Sequence, residues 1–412
     1  MKAVLLNHKQ LYTTPNLHMT YVPLGCVAFI NKALIFMIMK KEIHIWDLSV
    51  EKIYIQLRAG FREEFFDIGY SKFNGWRKFG EFFGIKRADT LMAINWRSGT
   101  NCYPLKVILK IGDLIDISRE EIEKNIIQVK YKTKINKRGG SSGKPINDPR
   151  LPIKIDAEFI EMLGHICGDG TIGITRSKGI KISYINSEKY LIDYFNLLVK
   201  RVFGDIKPYV EMRNNPNQYR RPNYVISYPS IVSHFILSVY NYKTGERLEF
   251  PQFVYDLDKN MKYVFLRALF DDEGSVNVKN KHIKIGLKPL GFVQGIKNLL
   301  EDVGIRSSDV KNETRENGHM HYLWIMGKEN LTFFYDRINF NHPGKRLKLK
   351  TIIETGWSFE RFSNGLAKKR ILEILNDRKN ITADKIARIL ERSPRVIRYH
   401  LKNMGVGMVE QN

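Results

Sequence analysis

Two short stretches constrain the fold of this 412-residue chain more than any other feature. "MLGHICGDG" (Met162–Gly170) and "LRALFDDEG" (Leu266–Gly274) are both apolar helical segments that end in an acidic residue and a glycine. In that register Asp169 lies over Glu273. Each stretch leads into an alternating segment, "TIGITRSKGIKISYIN" after the first and "NVKNKHIKIGLKPL" after the second, and both read as β-hairpins. A helix-then-hairpin unit written twice predicts a fold built twice.

The glycines invite a different reading, which their context excludes. Gly168-Asp169-Gly170-Thr171-Ile172-Gly173 fits the dinucleotide pattern G-x-G-x-x-G. That loop needs a strand entering and a helix leaving, so that the pyrophosphate meets a helix N-terminus. Here Phe159, Ile160, Leu163 and Ile166 precede it at helical spacing, and a hairpin follows. The later "GGSSGK" is no phosphate loop either, because the spacing would need glycine at Arg138 and a hydroxyl at Pro145.

In the repeat alignment Gly164 and Gly168 face Ala268 and Asp272, and small residues let two helix backbones approach closely. The two helices are therefore expected to pack side by side, with Asp169 and Glu273 emerging together at their C-terminal ends. Two carboxylates beside two partially negative helix termini form an oxygen-rich site that favours a divalent cation. Hard oxygen ligands open to solvent and phosphate suit magnesium, with manganese as a substitute.

Charge indicates the partner. Lys and Arg number 67 against 43 Asp and Glu, a formal net charge of +24, and such a surface repels itself without an anionic partner such as nucleic acid. Cys26, Cys102 and Cys167 are odd in number and far apart, which argues against a zinc site or a disulfide framework and for a reducing, intracellular setting. The apolar run Gly25–Met39 is interrupted by Lys32 and is too short for a membrane span.

"LGHICGDG" and "LRALFDDEG" resemble the two signature helices of a single-chain LAGLIDADG homing endonuclease, over residues of about 151–360. The resemblance implies an α+β fold: two pseudo-twofold-related αββαββα halves forming a saddle over double-stranded DNA. It places Asp169 and Glu273 at the metal-binding position, with Gly168 and Asp272 beside them in the ligand set. It also implies a basic residue at the end of the second strand of each half. Lys288 fills that place in the second half, and Asn186 stands where a lysine is common in the first. The saddle surface it implies carries Arg176, Lys178, Lys181, Arg213, Arg220 and Arg221 in the first half, and Lys279, Lys281, Lys284 and Arg315 in the second. Members of the family also sit inside inteins. Gln411 before Asn412, and Met1 in place of a splicing nucleophile, lead us to expect a free-standing protein.

The flanks read as small all-α modules: 58–125 as either a helix-turn-helix or a plain helical hairpin with a basic face, and 361–412 as a helix-turn-helix. Residues 58–125 hold two short apolar-periodic segments, Trp76–Phe83 and Asp89–Trp96, with Arg87, Asn95 and Arg97 as exposed groups. Residues 361–412 are the clearer case: a helix capped by Thr382, a break at Ser393-Pro394, then a second helix carrying Arg395, Arg398, Tyr399 and Lys402. The expected order is an unassigned segment (1–57), a helical module (58–125), a basic linker (126–150), half 1 (151–250), half 2 (251–360) and the terminal module (361–412). The expected protein is a monomeric, magnesium-dependent, site-specific DNA endonuclease without a membrane or obligate protein partner. Its first rival is a catalytically weakened DNA-binding regulator, and the second is an intron RNA maturase.

Overall fold

The computed structural model describes residues 41–73, 75–85, 95–132, 144–174, 179–214, 222–240, 249–315, 318–355, 364–377, 381–390 and 394–406. The apolar run Gly25–Met39 lies outside them, and among the described residues no helix is long and apolar enough to cross a membrane.

The first unit comprises β1 (Glu42–Ile43), β2 (Ile53–Leu57), α1 (Ala59–Ser71), α2 (Trp76–Phe82), β3 (Tyr103–Pro104), α3 (Leu105–Ile115), α4 (Arg119–Lys124), β4 (Ile126–Tyr131), β5 (Ile146–Asn147) and β6 (Ile153–Lys154). The first half follows with α5 (Ala157–Gly168), β7 (Gly170–Ile174), β8 (Ile180–Asn186), α6 (Lys189–Phe203), β9 (Asp205–Ile206), β10 (Tyr209–Arg213), β11 (Asn223–Ser227) and α7 (Ser230–Val239). The second half has α8 (Lys259–Glu273), β12 (Gly274–Asn277), β13 (His282–Leu287), α9 (Leu290–Asp302), β14 (Lys311–Arg315), β15 (Gly318–Met326) and α10 (Lys328–Phe333). After it come α11 (Pro343–Glu354), α12 (Asn364–Asp377), α13 (Ala383–Ile389) and α14 (Pro394–Asn403).

The repeat seen in the sequence is a repeat in space. Both halves run αββαββα, with four-stranded antiparallel sheets ordered β10-β11-β8-β7 and β12-β13-β15-β14. The small extra strand β9 leaves this frame and joins the N-terminal sheet. Helices α5 and α8 start alike, on Asp156 and Asp258, whose carboxylates accept the N–H of Phe159 (3.1 Å) and Met261 (3.0 Å). Such N-caps satisfy donors that the first helical turn leaves free. They also end alike: a Cβ at Gly170 would fall on the Ile166 carbonyl, and one at Gly274 on the Phe270 carbonyl. Only glycine permits this immediate turn from helix to strand.

Helices α5 and α8 pack together along their small residues. A Cβ on Gly164 would lie 2.7 Å from the Ala268 Cβ and 2.8 Å from the Phe265 carbonyl oxygen, and one on Gly168 would lie 2.7 Å from the Asp272 Cβ. Around this contact the core is apolar and continuous through the N-terminal unit and both halves.

The N-terminal unit differs from the all-helical module expected at 58–125. Its helices cover a five-stranded sheet, β3-β2-β4-β5-β9, whose last strand belongs to the first half. Helix α3 buries Ile108, Ile111 and Ile115. Trp96, expected on a recognition helix, is 3% exposed and packs beside Phe66 and Tyr103. Arg97 is held by Asp67 at 2.7 and 2.8 Å, and Arg87 lies outside the described residues. The expected linker 126–150 is also partly structured, because β4 and β5 are ladder strands and the Tyr131 ring stacks on His234 of α7 at 4.1 Å. Two-residue strands paired over long sequence separations carry no periodic signal, so a pattern reading finds the helices and misses the sheet.

The last three helices have a core of their own, Ile371, Ile386, Ala387, Ile397 and Leu401. Thr382 caps α13 by accepting the Lys385 N–H at 3.4 Å, and Pro394 is the first residue of α14. Ser393 lies outside the described residues.

The helix contact yields a stability prediction. Gly164→Val pushes a branched side chain into the Phe265 backbone, and overpacking of this kind costs about 1–3 kcal/mol. Melting followed by circular dichroism should show a Tm several degrees lower, whereas Gly173→Ala, in open space, should leave Tm unchanged.

Candidate metal and nucleic-acid site

The ends of α5 and α8 carry four acidic side chains, and packing gives each a different environment. Asp271 is fully buried and accepts the N–H groups of Asn341 (3.0 Å) and His342 (2.9 Å). Its carboxyl is pushed up to about 6 by burial, against the pull of those hydrogen bonds and of His165. The Asp272 side chain points into the helix interface with no exposed surface. There the Tyr184 hydroxyl donates to it at 2.6 Å, and His165 Nδ1 lies 3.1 Å from both of its oxygens. Burial works to lower the His165 pKa, but the Asp272 carboxylate and its hydrogen bond outweigh burial and raise it. His165 and Asp272 therefore form a buried pair across the interface, in room left by Gly168.

Asp169 and Glu273 stay partly accessible and line different clefts. Asp169 opens onto a cavity of about 580 Å³ together with Thr171, Asn186, Glu188, His342 and Lys345. Glu273 opens onto one of about 210 Å³ with Ser275, Lys284, Gly286, Met320 and Tyr322. Each acid thus lines a pocket of its own half, and the two stand near enough that the Glu273 charge acts on Asp169. The Asp169 carboxyl is raised to about 8, by burial first and then by the charges of Asp272 and Glu273. Glu273 is raised to about 7 by burial and then by Asp272.

Polar partners distinguish the two acids. Asn186 Nδ2 donates to Asp169 Oδ2 at 2.7 Å. The ladders then show which residue of the second half corresponds. Gly170 faces Tyr184 and Gly274 faces Ile285, so Asn186 matches Leu287 and Lys288 matches Ser187. Lys288 is exposed at the strand end and is not among the residues around Glu273. The lysine that does reach the acids is Lys345, in the first turn of α11. Its Nζ donates to the carbonyls of Phe270 (3.2 Å), Asp271 and Asp272 (3.3 Å). Burial lowers the Lys345 pKa, against four carboxylates that raise it. Its sequence context, "NHPGKR", signals only a helix start at a proline, so nothing local marked it.

Among the described residues no cluster of three or more His, Cys, Asp or Glu forms a closed metal cage. The donor set instead suits an ion that keeps part of its water shell, as magnesium does: two carboxylates, and the carbonyls of Gly168 and Asp272 next to them. Among the described residues no hydrogen-bond donor reaches the Glu273 carboxylate, which feels the Lys345 charge without a bond to it, and such a half-buried carboxylate gains from a bound cation.

The sheet faces beside these clefts are polar, basic and aromatic. In the first half Lys181 stands 5.6 Å from the Tyr209 ring, and Arg213 contacts Glu211 at 3.3 Å. In the second half Lys284 sits 3.8 Å over the Tyr322 ring, and Trp324 packs edge-on to Tyr322 at 5.0 Å. Lys279 is exposed, and Lys281 is half-buried at the β12–β13 turn with a positive φ of 48°. Arg176, Lys178, Arg220 and Arg221 lie outside the described residues, as does the side chain of Arg315. On α14 Arg395, Arg398, Tyr399 and Lys402 are all exposed, and Arg398 pairs with Asp384 at 2.9 Å.

Residues 260–339 match the LAGLIDADG-like domain. Among curated proteins the chain is similar to three from Methanocaldococcus jannaschii. A glutamine–fructose-6-phosphate aminotransferase is 27% identical over 314 residues, which is 73% of this chain and 27% of that protein. A probable translation initiation factor IF-2 is 29% identical over 132 residues, 31% of this chain and 11% of that protein. The DNA-directed RNA polymerase subunit Rpo1C is 21% identical over 257 residues, 60% of this chain and 28% of that protein. The chain therefore spans little more than a quarter of these relatives at most. Similar solved structures include I-DmoI in complex with DNA and Mn (14% identity, TM-score 0.33, covering 44% of this chain and 97% of that one). I-WcaI bound to its DNA recognition sequence gives 18% identity and a TM-score of 0.36, covering 47% of this chain and 87% of that one. Full-length DUF199/WhiA from Thermatoga maritima gives 14% and 0.35, covering 61% and 91%. The LAGLIDADG-like domain is matched in the second half, and its helix–hairpin–helix–hairpin order is repeated in the first half of the same polypeptide.

Proposed function

We propose that this protein is a monomeric, site-specific DNA endonuclease that hydrolyses phosphodiester bonds with divalent metal, magnesium or manganese. The observation that carries the reading is the helix pair, which delivers one acid, Asp169 or Glu273, into a cleft at the edge of each half's sheet. Asp169 and Glu273 would hold the metal with the carbonyls of Gly168 and Asp272. Bound there, a divalent cation supplies an activated water and neutralises developing phosphate charge. Lys181, Arg213 and Lys284 stand on the sheet faces where a duplex backbone would run, and their charges position it without reading sequence. The C-terminal helices form a helix-turn-helix in which α14 presents Arg395, Arg398, Tyr399 and Lys402 to a groove, lengthening the recognised site. That stretches of this chain resemble parts of an aminotransferase, an initiation factor and a polymerase subunit supports a module whose chemistry is independent of theirs.

One observation favours a second reading, a DNA-binding regulator with weakened catalysis. The amide of Asn186 occupies one oxygen of Asp169, and Ser187 stands in the register position that Lys288 holds in the second half.

Supercoiled plasmid carrying the DNA that flanks this gene separates the two readings. With magnesium, the nuclease gives linear product, and Glu273→Gln or Asp169→Asn lowers the rate by at least 100-fold while a gel shift persists. A wild-type protein that shifts this DNA and never cuts it leaves the regulator.

The C-terminal module is tested by salt. Replacing Arg395, Arg398 and Lys402 together with alanine should flatten the slope of log K against log salt by about 2–3 units, at 0.9 per lost phosphate contact. An unchanged slope would remove α14 from the interface.

The acids also predict a pH dependence for protein kept in chelator. Unfolded carboxyls titrate near about 4, whereas Asp169 and Glu273 in the folded chain titrate at about 8 and about 7. Between those values the native state binds more protons than the unfolded state, so stability falls as pH rises. Tm should decline from pH 5 to pH 8, Asp169→Asn should shallow the decline, and added Mg2+ should restore most at pH 8. Calorimetry across that range checks all three.

A further inference from the structure

We propose that the second half reads its side of the target by apolar contact with thymine methyl groups, through a strip of Met320, Tyr322, Trp324 and Met326 on the open face of β15. The inference rests on the DNA-binding reading above and specifies which bases one half-site carries.

The strip follows from strand alternation. Leu323 and Ile325 point into the core and are fully buried, so Met320, Tyr322, Trp324 and Met326 stand on the opposite face. All four keep accessible surface there. Met320 and Tyr322 line the cleft of Glu273, and Trp324 and Met326 continue outward, paired with Lys284 and His282. Ring packing makes the strip continuous: Trp324 meets Tyr322 edge-on at 5.0 Å and His282 at 6.3 Å. Gly286 makes room for it, because a Cβ there would lie 3.0 Å from the Tyr322 Cβ. Lys284, which also meets Glu313 at 3.7 Å, flanks the strip on β13, and the exposed Lys311 flanks it on β14. Positive charge on both sides suits a strip that enters a groove between phosphates.

The first half lacks this surface. In the ladder register that sets Asn186 on Leu287, the residues of β11 that take the places of Met320, Tyr322 and Trp324 are Asn223, Val225 and Ser227. Val225 and Ser227 are only 2% and 3% exposed, and the Ser227 and Ser183 hydroxyls bond each other at 2.9 Å. The two sheets therefore offer a duplex unlike surfaces, although their strands match.

In the major groove, base pairs show hydrogen-bonding edges and one apolar group, the C5-methyl of thymine. Rings and thioethers gain by covering that methyl. Over a G·C pair the same groups would displace water from polar edges without replacing its hydrogen bonds, which costs binding energy.

Selection of duplexes from a randomised library by the full-length protein in chelator tests the inference without any cleavage assay. Wild type should select sites with thymines concentrated in one half. Tyr322→Ser combined with Trp324→Ser should lose that preference and keep the base preferences of the other half. Deoxyuridine in place of thymine then removes the methyl alone. In the thymine-rich half it should weaken wild-type binding by about fourfold per methyl contacted, the value of one buried carbon, and in the other half it should change nothing. Equal affinity for thymine and deoxyuridine duplexes, or an equal loss in both halves, would overturn the inference and leave DNA binding standing. So would an unchanged thymine preference in a double variant with a native circular-dichroism spectrum. If that variant fails to fold, the deoxyuridine comparison in wild type still decides. Tighter binding of single strands than of duplexes would assign the rings to base stacking instead and end the proposal. A library from which no duplex is enriched would remove the DNA-binding reading itself, and this inference with it.

Discussion

Everything near the site depends on how closely α5 and α8 approach. Gly164 lies against Ala268 and the Phe265 carbonyl, and Gly168 against Asp272, so the two helices meet with almost no side chain between them. That closeness brings the ends of both helices to one place and puts their partial negative charges together. It also aligns the two halves, because each sheet begins within two residues of its helix end. A larger residue at Gly164 would separate the helices and so change the spacing of the clefts.

The same closeness creates an electrostatic problem, which the protein answers unequally on its two sides. Four carboxyls cluster at the helix ends. Asp271 is balanced by backbone donors, Asp272 by His165 and Tyr184, and the carbonyls above them by Lys345. Asp169 receives one amide, and Glu273 receives no hydrogen bond among the described residues. Burial and mutual repulsion therefore fall most heavily on the two acids that face the clefts, and an incoming cation relieves both.

Part of this was legible beforehand. The two signature helices, their N-caps, the hairpins after each and the Gly164–Ala268 register follow from hydrophobic period and from small residues at fixed positions. The α+β class with two αββαββα halves was an implication of the resemblance those helices carry to the LAGLIDADG signature. The N-terminal sheet was not legible, because its short strands are recruited from distant segments, one of them inside the first half. The pairing of Asn186 with Lys288 did not survive the ladder register either. The stretch joining β7 to β8 is longer than the β12–β13 turn and shifts the count.

The sequence by itself determined that the fold is duplicated and which residues end its two central helices, because those signals are periodic and local. Only the tertiary structure decided that Asp272 turns inward to His165 and that Lys345 reaches the end of α8. Contacts between residues far apart in the chain are fixed by how elements pack, and a side chain's neighbours leave no mark on the residues beside it.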